Sequence, residues 1–175
     1  MGVRRVVTGH TPDGKSIIAS DTEVDAMPVG TLGSSTTLIW HRDGTAEFPD
    51  DGSLPPCEPG FPPPGGCGIS VLTLAPDNSE FDEFVRTALV PWADPDEPGM
   101  HRTATIDYDV VLEGTIGLQV DDGIEVTLHP GDIVVQNGTR HRWVNRGDTV
   151  ARMLAVTIGA TNSLAPNPFA PNPSD

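Results

Sequence analysis

Residues 99–114, GMHRTATIDYDVVLEG, and residues 131–145, GDIVVQNGTRHRWVN, decide how this chain is read. In both, short β-prone runs are bounded by glycines, Gly114 in the first and Gly131 and Gly138 in the second, where turns need backbone angles that a Cβ penalises. Side chains on a strand alternate between faces, so residues of equal parity share one. His101, Thr103, Thr105 and Asp107 therefore fall on one face, with Tyr108, Val110 and Leu112 on the other. His141, Trp143 and Asn145 share a face of the second stretch. Polar side chains in a row on otherwise apolar strands point to a lined pocket.

Working outward, residues 115–120 and 124–128 read as strands around Asp121-Asp122-Gly123, and residues 132–136 as a strand between Pro130-Gly131 and Asn137-Gly138. Residues 140–145 and 149–158 flank Arg146-Gly147-Asp148. Short strands at regular spacing, joined by compact turns, predict an all-β sandwich or small barrel. Upstream, residues 3–8 and 16–20 predict a hairpin around Pro12-Asp13-Gly14. Residues 36–41 and 69–75 predict further strands, separated by a proline-dense loop over 49–68 that a sheet ladder cannot absorb. Only residues 79–90, opened by Ser79 and closed before Pro91, could form a helical turn or two. The organisation expected is a single domain: N-terminal β segments and loops over 1–98 packing on a barrel, core motifs over 99–160, and a flexible Pro/Asn-rich tail over 161–175.

Length and composition agree with one domain. The chain has 175 residues, of which 37% are hydrophobic, with 18 prolines and 19 glycines, so turns and loops take a large share. A net charge of -15 opposes the counterion release that drives binding to nucleic acid or anionic lipid, so neither is an expected partner. No run approaches the roughly 20 apolar residues of a membrane span, and no signal-like segment follows the N-terminus, so a cytoplasmic location is expected. Cys57 and Cys67 could close a short loop as a disulfide; in a reducing compartment they stay free.

The two quoted stretches resemble the two motifs of the cupin superfamily. That resemblance implies a double-stranded β-helix, or jelly-roll, barrel with an irregular N-terminal hairpin extension. In cupins the first motif supplies two histidines one residue apart and then a glutamate, and the second motif supplies a histidine. Counting back from residues 111–114, VLEG, sets His101 at the first histidine, Thr103 at the second and Asp107 at the acid, with His141 from the second motif. Two of four ligand positions thus differ from the family pattern. The set that is left, His101, Asp107 and His141, is the donor set of a two-histidine, one-carboxylate iron(II) site. The implied cofactor is a divalent metal ion, Fe2+ favoured, with Zn2+, Mn2+ and Ni2+ also compatible.

Thr103, Thr105, Gln119 and Trp143 are the candidates to line a substrate pocket. Arg102, Tyr108, Asp109 and Arg140 are further candidates to shape its charge, although parity sends Tyr108 and Arg140 away from the ligand face. Read one at a time, each histidine could be a satisfied strand residue, and Asp107 could pair with Arg102 or Arg140. The resemblance implies a metal-dependent enzyme acting on a small organic substrate of aromatic, enol or polyketide-like character, with an oxygenase favoured. The alternatives are a non-redox lyase, decarboxylase, dehydratase or isomerase, and a non-catalytic cupin that binds a small ligand. A homodimer is expected, since sheet edges such as that of the first hairpin need cover.

Overall fold

A computed structural model describes residues 2–29, 33–55, 60–77, 94, 96, 97 and 99–164 of the chain. Eleven strands run through the described residues: β1 (Val3–His10), β2 (Ser16–Val24), β3 (Met27–Val29), β4 (Ser34–Arg42), β5 (Cys67–Leu74), β6 (Thr105–Glu113), β7 (Ile116–Gln119), β8 (Glu125–Leu128), β9 (Ile133–Gln136), β10 (Arg142–Val144) and β11 (Ala151–Gly159). A single 3-10 turn, Asp121–Gly123, is the helical element among these residues. The helical turns expected over 79–90 lie outside the described residues. No helix among the described residues is long and apolar enough to cross a membrane.

The strands form three antiparallel sheets. The β1–β2 hairpin stands as its own two-stranded sheet, its strands reaching beyond the expected bounds to His10 and Val24, with a register shift between Val7 and Thr8. The main sheet has the order β3-β4-β5-β11-β6-β9, and a smaller one the order β10-β7-β8. Alternating apolar positions from both sheets meet in one core: Val111, Ile116, Ala151 and Met153 are buried, with Leu72, Leu74, Leu128 and Trp143 packed against them. Each large side chain removed from water there stabilises the fold by about 1.5–3 kcal/mol. The six-stranded and three-stranded sheets together give the all-β jelly-roll arrangement expected, with the hairpin as a third, separate sheet.

The first half of the chain is more integral than the sequence implied. β4 and β5 are not segments laid on a barrel but two strands of its main sheet, because β11, which follows both motifs, pairs with β5 on one side and β6 on the other. The chain after β11 is also tied down as far as Asn162, whose Nδ2 donates to the carbonyls of Thr103 at 2.9 Å and Gly138 at 3.1 Å. Residues 165–175, most of the expected tail, lie outside the described residues, as does Cys57. Cys67 is exposed.

Candidate functional site

The site is organised by an isolated antiparallel bridge between His101 and His141. The His101 N–H donates to the His141 carbonyl at 2.9 Å, and the His141 N–H donates back at 3.0 Å. Residues opposed in this way project their side chains to the same side, and the two ring centroids are 4.4 Å apart. Each ring is oriented from behind. His101 Nδ1 lies 2.9 Å from the Gly99 carbonyl, and His141 Nδ1 lies 2.9 Å from the Thr139 carbonyl. A carbonyl only accepts, so the Gly99 carbonyl places the proton on Nδ1 and the lone pair on Nε2 of His101, whereas at His141 the Thr139 carbonyl and the Gln136 amide nitrogen both meet Nδ1.

Burial disfavours the imidazolium in both cases. The His141 pKa falls to about 4, chiefly through desolvation and then through the neighbouring His101. His101 is lowered by desolvation as well. Both rings are therefore neutral at pH 7, the state that metal ligation or proton acceptance requires. Gln136 packs against His141 and is locked in place: its Oε1 accepts from the Thr139 N–H and hydroxyl, each at 2.9 Å, and its Nε2 donates to the Thr139 carbonyl at 3.1 Å.

Register then decides what faces the rings. Residues directly opposed across strands share a face, and following the pairs across the main sheet gives one inward row: His41 (β4), Gly68 (β5), Thr157 (β11), Asp107 (β6) and Gln136 (β9). The next row runs Ser70, Ala155, Asp109 and Val134 across β5, β11, β6 and β9, and the one after it Leu72, Met153 and Val111. The interior thus passes from a polar end to an apolar end within three rows.

Asp107 and Asp109 are almost fully buried, at 6% and 3% exposure. Asp107 Oδ1 and Asp109 Oδ2 have no hydrogen-bond partner among the described residues, a costly condition for a carboxylate oxygen. Burial raises the Asp107 pKa to about 6, with the Thr105 hydroxyl opposing part of the shift. Burial and then the adjacent Asp107 raise Asp109 to about 7. The Thr105 hydroxyl also lies 2.8 Å from the Thr103 hydroxyl, and both residues are buried.

The other predicted residues divide. Trp143 packs on the core and meets the edge of His141, with ring centroids 5.8 Å apart. Gln119 does not line the pocket: its Oε1 accepts from Arg142 Nε, its pairing partner in the β10–β7 register, on the face of the small sheet opposite Trp143. The physical reason is parity, since Ile116 and Leu118 point inward and Gln119 is one residue further on. Arg140 pairs with Asp94, Glu97 and Asp121 at 2.7–2.8 Å, and so is not Asp107's partner. Asn145 is spent on structure, its Nδ2 donating to the carbonyls of Leu74 and Thr149. Gln136 was missed because glutamine carries no ligand signal. Asp109 shares the parity of Asp107 and with it the inward face. A groove of about 490 Å³, lined in part by Arg102, Thr105, Thr139 and Asn162, opens beside Thr105.

The donor types suit a divalent ion: two neutral imidazoles with Nε2 free of their backbone anchors and an unpartnered carboxylate oxygen. The histidine pair is assembled, but among the described residues no three His, Cys, Asp or Glu side chains gather closely enough to hold an ion together. Asp107 shares the inward face without being drawn up to the rings.

A cupin domain family model matches residues 93–157, from just before the His101 segment into β11. A cupin-domain-containing oxidoreductase of Aspergillus ruber is 40% identical over 169 residues, covering 89% of this chain and 72% of the relative. The chain belongs to the cupin family. This cupin is also 30% identical to phomopsin biosynthesis cluster protein C' of Diaporthe leptostromiformis, over 89% of this chain and 78% of that one. Among solved structures it is similar to a Cupin 2 conserved barrel domain protein from Salinispora arenicola CNS-205, with 21% identity, 74% of this chain and 79% of that chain covered, and a TM-score of 0.42.

Proposed function

We propose that this cupin is a metal-dependent oxidoreductase acting on a small organic molecule inside the barrel, with His101, His141 and Asp107 as donors to a divalent ion, Fe2+ favoured. The observation that carries this reading is the histidine pair, its ring centroids 4.4 Å apart and each ring with a backbone carbonyl 2.9 Å from Nδ1. Support comes also from the relatives, one of which is named an oxidoreductase and another a biosynthesis cluster protein. A divalent ion held there would polarise a substrate oxygen, and iron(II) would add one-electron chemistry with dioxygen.

The chain's own residues do the rest. The Gly99 carbonyl holds His101 with its proton on Nδ1, and Thr139 and Gln136 keep the His141 ring from turning. Asp109, with a pKa near neutrality, can hold a proton beside Asp107 and give it to a reacting oxygen. The apolar rows of Leu72, Met153 and Val111 exclude water from the far end and suit an aromatic, enol or polyketide-like body. Elemental analysis of the purified protein and of His101→Ala tests the site: the variant should lose at least nine-tenths of the bound metal, and equal contents overturn the assignment. Full turnover without oxygen would overturn the oxygenase version.

One observation favours a second reading. Two buried carboxyls titrating near pH 6 and 7 beside neutral imidazoles are also an acid–base set, suited to a lyase, decarboxylase, dehydratase or isomerase. We further propose a homodimer, supported by the outward apolar side chains of Tyr108, Ile133 and Val135 on the adjacent strands β6 and β9; light scattering at several concentrations tests it.

A further inference from the structure

Arg102 is the charged side chain that the proposed chemistry leaves without a task. The chain carries 25 acidic residues against 10 lysines and arginines, so a cation on it has acids to choose from. Every other arginine among the described residues is engaged with a carboxylate, a backbone carbonyl or an amide oxygen. Arg102 is half-buried and has no ion pair or hydrogen bond among the described residues. A guanidinium partly withdrawn from water and left unpaired is costly unless an anion comes to it.

Arg102 lines the groove of about 490 Å³ beside Thr105, a volume in the usual range of small-molecule sites. Three segments wall it, drawn from residues 102–106, 137–140 and 160–164. They are fastened to one another: the Ala160 N–H donates to the Ala104 carbonyl at 2.8 Å, and Asn162 Nδ2 donates to the carbonyls of Thr103 and Gly138. The walls are thus preformed, which lowers the ordering cost of binding. Arg102 and Arg140 each stand one residue from a histidine of the His101–His141 bridge, so their side chains leave it on the side away from the two rings.

The charged residues of the lining are Arg102, Arg140 and Asp121. Arg140 Nη1 holds Asp121 at 2.7 Å, and its Nη2 holds Asp94 and Glu97, which are not part of the lining. Arg140 is therefore spent, and Arg102 is the cation left to the groove. Asn137 and Thr161 add a carboxamide and a hydroxyl with no partner among the described residues, and Ile106 and Leu164 add apolar wall. One free guanidinium matches a planar monoanion, which it can meet with two parallel N–H groups. The acids gathered on Arg140 oppose a dianion such as phosphate.

We infer that this groove is a second ligand site, outside the barrel interior, that binds a small organic carboxylate. Arg102 pairs with the carboxylate, Asn137 and Thr161 donate to its oxygens, and Ile106 and Leu164 pack on its apolar body. The site does not depend on the metal donors inside the barrel.

Benzoate and benzamide share a ring and differ in charge, so they are the probes, each titrated calorimetrically into the full chain. Benzoate should bind saturably and shift the backbone amide signals of Arg102, Gly138 and Thr161. Benzamide should bind about tenfold more weakly, the loss of one charged hydrogen-bonded partner. Arg102→Gln should weaken benzoate by the same factor, and Arg102→Lys, which keeps the charge, by less. Leu164→Asp, at a position 73% exposed, places a repelling charge at the groove and serves if Arg102→Gln does not fold. A chelator should leave benzoate affinity unchanged. Equal affinity for the two probes, an unaltered affinity in both Arg102→Gln and Leu164→Asp, binding that disappears with the metal, or inorganic phosphate binding more tightly than benzoate overturns the inference.

Discussion

His101 and His141 exchange both backbone hydrogen bonds across a bridge that belongs to no longer ladder, and this places their rings 4.4 Å apart. The bridge is held from outside by Arg140, the residue before His141. Its guanidinium pairs with Asp94 and Glu97, and the Asp94 N–H and Glu97 carbonyl are bonded in turn to the backbone of Met100, beside His101.

Arg140→Gln should therefore loosen the histidine pair more than it destabilises the fold. The acids are partly exposed, so the loss in stability is put at about 1 kcal/mol, or about 2–4 °C in melting temperature for a chain of this size. Metal affinity should fall about tenfold, as it does when groups that orient ligands are removed. Calorimetry and a metal titration check the two effects, and an unchanged affinity would show that the clamp does not position the rings.

The buried carboxyls set a pH dependence with a definite sign. Asp109 has a folded pKa of about 7 against an ordinary 3.8. Between those values the unfolded chain has released a proton that the folded chain keeps, so this contribution falls as pH rises from about 4 to 7. His141, with a folded pKa of about 4 against 6.5, contributes in the opposite sense over most of that window. Asp109→Asn removes the falling contribution alone. With metal chelated, the variant should be more stable than the wild type at pH 7 by on the order of 1–3 kcal/mol, and the gain should vanish near pH 4. Urea unfolding at the two pH values measures it.

Gln119→Ala supplies a contrast. Its side chain faces Arg142, away from the histidines, so the substitution should change stability by less than about 0.5 kcal/mol and leave metal content as in the wild type. A loss of metal would place Gln119 in the site after all.

Gly114→Ala should be costly for two reasons that add. The residue has φ +74°, and a Cβ there would come within 2.9 Å of the Ala151 backbone and Cβ. A loss on the order of 2–4 kcal/mol is expected from strain plus displacement of the core strand β11, read as a drop in the denaturation midpoint.

The sequence by itself determined the β architecture downstream of residue 99, the inward face of β6 and the two histidines, because strand parity and turn glycines are local properties. Thr103, Thr105, Asp107, Asp109 and Val111 are all buried, as two-residue periodicity requires. What only the tertiary structure decided was which strands lie side by side. That β4 and β5 complete the main sheet, that His41 and Thr157 flank Gly68 in the row of Asp107, that Gln136 backs His141, and that Arg140 serves three acids instead of Asp107 all depend on register between segments far apart in the chain. Register is fixed by long-range pairing and core burial, and no local pattern encodes it.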